Sequence, residues 1–188
     1  MPSMINEKKK IVFLHLSKTA GITVTTILEN HQFVPIDLEH NAGHIGYRSC
    51  FDNYFTFGFI RHPEQWYISL YRFFRTHDWK IKTKSFEEYR SDNINDFIDN
   101  LIRTNNFMLG EVFEKFFGDS TDFIGKTENL IHDLDKVLSL HGIQMSQTET
   151  CIKFNVSKKF PAEIDQEHKE WIRASCDLIY KRFGYEYE

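Results

Sequence analysis

The chain has 188 residues, 41% of them hydrophobic and 15% aromatic, which is enough apolar material for a core and fits a single domain over 1–188. Lys plus Arg number 23 against 27 Asp plus Glu, and the net charge of −4 argues against a general binder of nucleic acid or anionic membranes, since both reward a basic excess; an anionic ligand has to be held by a local cluster. Apolar runs stop well short of the roughly 20 residues of a membrane span, and Cys50, Cys151 and Cys176 show neither paired spacing nor a zinc pattern, so a reducing cytoplasm is the expected location.

The basic start through Lys8, Lys9 and Lys10 leads into Ile11–Leu16, an apolar stretch too short for a signal-peptide core, so the lysines read as the solvated lead to a strand. "KIVFLHL" is continuously apolar and β-branched, as in a strand buried on both faces. After a polar turn over 17–21, Ile22, Val24, Ile27 and Leu28 recur at helical spacing to about Asn30. "QFVPID" reads as a short strand, confined by Pro35 to a sheet edge. "NYFTFGFIRH" is a strong strand that stops at His62, and Pro63 suits the first turn of a helix through "EQWYISLYRFF".

Residues 76–92 are polar and lysine-bearing without a period, and read as a loop or lid. "INDFIDNLI" is expected to be a helix with Ile94, Phe97, Ile98 and Leu101 on one face, and "STDFIGK" a short buried strand. Thr127 is placed to cap the next helix, whose stripe of Leu130, Leu134, Val137 and Leu138 ends at His141-Gly142. A last helix, "EIDQEHKEWIRASCDLIYKRF", would turn Ile164, Trp171, Ile172, Ser175 and Ile179 inward. This alternation argues an α/β fold with a mainly parallel central sheet flanked by helices.

In such sheets ligands sit at the carboxyl ends of strands, where the following helix presents backbone N–H groups and its positive end. The segment 17–23 occupies that place. Gly21 allows close backbone approach to a phosphate, Thr19 and Thr23 carry hydroxyls and Lys18 a point charge. The order differs from the GxxxxGKS/T loop of nucleoside-triphosphate sites, where the hydroxyl after the lysine binds magnesium, so no metal is expected. Arg61, at a second strand end, is suited to grip another anion with its planar fork, and Ser69, eight positions on, adds a hydroxyl. For a proton acceptor, His15, His40, His44 and His62 are open; His15, on a strand, also reads as a packed core histidine.

"FLHLSKTAGIT" resembles the FIHIPKTGGTS loop, and "FIRHPEQWYISLYRF" the VRNPxxRxxSxYxF segment, of the 3′-phosphoadenosine-5′-phosphosulfate-dependent sulfotransferases. The branch holding the heparan sulfate 2-O-sulfotransferases and small bacterial members is the most similar. "AGHIGYRSCF" resembles its GHxSYxxF segment and "FIGKTENLIHDLDKVL" its GxxENLxxDLxxL, followed by "NVSKK" and a C-terminal helix.

The resemblance implies a P-loop-like three-layer fold and transfer of a sulfuryl group from the phosphosulfate co-substrate to an acceptor hydroxyl, on a carbohydrate or small molecule, leaving 3′-phosphoadenosine 5′-phosphate. It implies that Ser17, Lys18, Thr19, Ala20, Gly21, Ile22 and Thr23 wrap the 5′-phosphosulfate, that Arg61 and Ser69 recognise the 3′-phosphate, that Asn155, Ser157 and Lys158 close over the nucleotide, and that His44 is the general base, with Lys18 also catalytic. Ser17, Ala20, Ile22, His62 and Trp66 depart from the family pattern, Ile22 by removing a hydroxyl donor and Trp66 by replacing an arginine. The competing readings are a P-loop nucleotide kinase or NTPase, opposed by the missing glycine-lysine-hydroxyl order, and a non-catalytic adenine-nucleotide-binding module, opposed by the presence of both Lys18 and His44.

Overall fold

A computed structural model describes residues 2–36, 51–81, 84–151 and 160–186. They group into two compact units, Met1–Arg61 with Phe113–Phe154, and His62–Val112 with Asn155–Glu188. The fold is α/β. In chain order the elements are β1 (Met4–Asn6), β2 (Ile11–Leu14), α1 (Gly21–Asn30), β3 (Val34–Pro35), β4 (Phe55–Ile60), α2 (Pro63–Thr76), β5 (Lys80–Ile81), β6 (Lys84–Ser85), α3 (Ile94–Thr104), α4 (Leu109–Phe117), β7 (Phe123–Lys126), α5 (Leu130–Leu140), α6 (Gln147–Thr150), α7 (Gln166–Ser175) and α8 (Asp177–Phe183).

The first unit holds a five-stranded sheet in the order β3-β1-β2-β4-β7. The β2–β4 and β4–β7 pairings are parallel, with Leu14 opposite Gly58 and Ile60 opposite Lys126, whereas β1 pairs antiparallel with both β2 and β3. The sheet is therefore mixed, which corrects the expectation of a mainly parallel one. The cause lies at the start of the chain: the lysines read as a solvated lead form a hairpin turn. Lys10 adopts φ 53°, and the Lys9 N–H donates to Asn6 Oδ1 at 2.9 Å. The returning strand, Met4–Asn6, is too short to show a period.

All four residues of β2 are buried, as a strand covered on both faces requires. On one face Phe13, Phe57 and Phe59 pack with Val24, Ile27 and Leu28 of α1 and with Leu130, Leu134, Val137 and Leu138 of α5. On the other, Gly58 lets the Phe117 ring lie so close that a Cβ there would fall 2.2 Å from it. β3 lies at the sheet edge as Pro35 demands. Thr127 does not cap α5; its hydroxyl donates to the Ile60 carbonyl at 2.8 Å, tying the end of β7 to β4.

The short α6, absent from the sequence reading, is anchored to the end of α1 by Glu149, which is 5% exposed and accepts from Asn30 Nδ2 at 2.9 Å and Ser146 N at 2.7 Å, with His31 Nε2 at 3.2 Å. Burial pushes this carboxyl up, but the hydrogen bonds from Asn30, Ser146 and His31 outweigh it and hold the group at about 2. A carboxyl depressed in the folded state stabilises above its unfolded pKa, near 4.5, and that contribution is lost as pH falls toward about 2. Glu149→Gln is accordingly expected to lower stability at pH 7 by about 1–3 kcal/mol and to flatten the pH dependence of urea unfolding between 5 and 2. An unchanged slope would show that Glu149 is not so held.

In the second unit, α2 buries Trp66, Tyr67, Leu70, Tyr71 and Phe74, and α3 buries Ile94, Phe97, Ile98 and Leu101 on the face expected for it. Among the described residues of 76–92, β5 and β6 pair antiparallel, Glu87–Tyr89 forms a 3-10 turn, and Trp79 and Tyr89 are buried, which is more regular structure than a loop. Phe74 stacks on Trp79 with ring centroids 6.0 Å apart and also meets Phe86, Tyr89 and Phe97. These isolated aromatics among charges are what the sequence reading passed over.

The expected last helix is two helices, α7 and α8, broken at the buried Cys176, with φ −117° and ψ 18°. Ile164, Ile172 and Ile179 are buried as expected, while Trp171 and Ser175 are half-buried. Among the described residues, no helix is long and apolar enough to cross a membrane.

Candidate functional site

Both β2 and β4 leave the sheet of the first unit at the same edge, one into Ser17–Lys18 and the other into Arg61. The turn between β2 and α1 is tight. Lys18 and Ala20 adopt the left-handed region, at φ 68° and 59°, and α1 begins at Gly21. Thr19 is fully buried and donates its hydroxyl to the Leu16 carbonyl at 2.7 Å, so it braces the loop from within. Ala20 is the N-cap of α1; it provides no side-chain acceptor, and the first turn carries no acidic residue. A ten-residue helix that starts this way presents its first backbone N–H groups and the positive end of its dipole to whatever lies in front of it.

Two cations share this edge. Lys18 and Arg61 are both half-buried. Loss of hydration first, and the positive charge of Arg61 second, push the Lys18 ammonium down to about 8. Two cations that follow the carboxyl ends of neighbouring parallel strands, one of them in the loop just ahead of a helix N-terminus, favour an anionic ligand there.

The other expected loop residues differ in kind. Ser17 and Thr23 are both half-buried. Ile22 is 59% exposed, so this departure from the family pattern places an apolar side chain on the first turn of α1 instead of a hydroxyl. Gly21 has an occupant against it: a Cβ there would lie 1.8 Å from His15 Nε2 and 2.2 Å from Cε1. His15 is 4% exposed and stacks on Phe13 with centroids 5.7 Å apart, which makes it the packed histidine. The requirement for glycine is therefore met by a side chain six positions earlier, a contact that no sequence motif announces.

The contact sets a test. Gly21→Ala is expected to cost about 1–3 kcal/mol through overpacking, and His15→Ala in the same chain to recover a large part of that loss because it vacates the space. Purely additive destabilisation in urea titrations would show that the two residues do not meet.

Ser69 lies in the second unit, half-buried on α2. In that unit His62 is buried, its ring edge-on to Tyr180 and Tyr185 at 5.5 and 5.1 Å, and Trp66 is fully buried, edge-on to Tyr67 at 5.0 Å; both departures are packing residues there. His40, His44, Asn155, Ser157 and Lys158 lie outside the described residues. Grooves of about 300 Å³ beside Asn6, Lys9 and His31 and about 420 Å³ along α5 at His132, Lys136 and Leu140 are not lined by residues 17–23. Among the described residues no group of three or more His, Cys, Asp or Glu side chains is placed to hold a metal ion.

Comparison of the chain with protein-family models, with curated proteins and with solved structures finds no match in any of the three.

Proposed function

We propose that the protein is a sulfotransferase of P-loop-like three-layer architecture that transfers a sulfuryl group from 3′-phosphoadenosine-5′-phosphosulfate to an acceptor hydroxyl, with carbohydrates among the acceptor classes. The observation that carries the reading is that Lys18 and Arg61 follow the carboxyl ends of two neighbouring parallel strands, with Lys18 in the loop ahead of a helix whose cap has no side-chain acceptor. Sulfuryl transfer needs in-line placement and neutralisation of charge on the leaving oxygen more than covalent participation by the protein, as phosphoryl transfer does. Lys18 is suited to meet that charge without a metal, the N–H groups at the start of α1 to hold a phosphate, and Arg61 to bind a second phosphate with its fork.

His44 is the candidate for taking the acceptor proton; its role, and those of Ser69, Asn155, Ser157 and Lys158, rest on the resemblance in sequence. Calorimetric titration tests the reading. 3′-Phosphoadenosine 5′-phosphate is expected to bind much more tightly than AMP, with EDTA present, and Arg61→Ala to remove most of the difference, roughly 10- to 100-fold. Equal affinity for the two nucleotides would overturn it, and an absolute need for magnesium would favour a kinase-like protein.

A further inference from the structure

We propose that His168 is a pH-operated clasp between α7 and α3, closed while its ring carries two protons and open once one is lost. The groups involved, Asn95, Asp99, Asp165 and His168, all belong to the second unit and include no residue of the 17–23 loop. The buried His168 ring stands in the first turn of α7 between two carboxylates. Its Nδ1 lies 2.6 Å from Asp165 Oδ1, and its Nε2 lies 3.2 Å from Asp99 Oδ1 on α3.

An ionised carboxylate only accepts hydrogen bonds, so both contacts are hydrogen bonds only when both ring nitrogens carry a proton. A neutral imidazole has one N–H, and its other nitrogen would turn a lone pair toward a negative oxygen. The two carboxylates are held differently. Asp165 Oδ1 also accepts from the His168 backbone N–H at 2.9 Å as the cap of α7, and the Asp165 N–H donates to Asn95 Oδ1 at 3.2 Å. Asp99 is exposed, and its contact with the ring is the longer of the two. Loss of the Nε2 proton to water therefore breaks the bond to Asp99 and leaves the Asp165 cap in place, which loosens the start of α7 on α3 without unwinding its first turn.

The charges around the ring favour the closed form. Burial by itself lowers the pKa of His168, but the hydrogen bonds and charges of Asp165 and Asp99 outweigh it and hold the ring above its ordinary 6.5. α7 also packs on α2 and α8. Among the described residues of these helices, Glu64 lies 3.9 Å from Lys169, Arg72 donates to the Phe160 carbonyl at 2.9 Å, and Asp177 pairs with Lys181 at 2.7 Å. A group whose pKa is raised on folding stabilises fully below its unfolded value and loses that contribution as pH rises through the folded one, so the clasp opens above pH 6.5.

The experiment follows the whole chain from about pH 5.5 to 8.5, the range in which an imidazole titrates, by NMR of the His168 ring and by hydrogen exchange corrected for the intrinsic rate. The ring is expected to titrate above 6.5. Through that midpoint, peptides spanning 164–172 should lose about two- to fivefold in protection relative to peptides from α5, the loss expected for a partly exposed ion pair. Asp99→Asn, at an exposed position, offers an oxygen to the charged ring and an N–H to the neutral one, so it should flatten this dependence. His168→Gln, which has no proton to lose, should flatten it as well. A ring midpoint at or below 6.5, protection of 164–172 that stays constant through the midpoint, or a pH dependence that survives in Asp99→Asn each overturns the proposal.

Discussion

Lys18→Ala is expected to weaken binding of 3′-phosphoadenosine 5′-phosphate by about 10- to 100-fold and, once an acceptor is known, to lower turnover by a further factor of about 10²–10³. Both fall because Lys18 is proposed to touch the donor in the ground state and to meet leaving-group charge in the transition state. The pH dependence has a definite sign. The Lys18 ammonium titrates at about 8 in the folded protein, below its ordinary 10.5, and an anion favours the protonated form. Affinity should therefore be full below pH 8, decline above it, and be accompanied by proton uptake near pH 8. In the free protein, stability should rise between pH 8 and 10.5, because there the unfolded chain retains a proton that the folded chain has released. Binding and turnover unaffected in Lys18→Ala would remove the loop from the mechanism.

His44→Ala is expected to act on chemistry alone, lowering turnover by about 10²–10⁴-fold, the usual contribution of a general base, while leaving nucleotide affinity almost unchanged. A base that must be neutral also predicts that activity falls on acidification as its imidazole protonates. The contrast between this variant and Lys18→Ala is the informative measurement. Should His44→Ala retain near-normal turnover, the proton acceptor must be sought elsewhere, with His40 first in line.

The strand-loop-helix course from Ile11 to Asn30, the strand ending before Arg61, the edge position of Pro35 and the buried stripes of α3 and α5 could be read from the sequence alone. In each case the signal is local: a continuous apolar run, a 3.6-residue period, or a proline that lacks an N–H. The same locality made Lys18 and Arg61 visible as cations at strand ends. What escaped was decided by partners distant in sequence. Three residues, Met4–Asn6, become a strand only because β2 and β3 lie on either side, and they turn the sheet from mainly parallel to mixed. Trp79 and Tyr89 order the 76–92 segment only because Phe74 offers an aromatic surface. Gly21 is obligatory because the His15 ring fills the space beside it, and Lys18 is depressed because folding buries it and brings the charge of Arg61 to bear on it. Side-chain packing and the loss of water around a charge are properties of the assembled chain, so the sequence determined which residues are available for chemistry, and the tertiary structure alone decided their conformation and their charge.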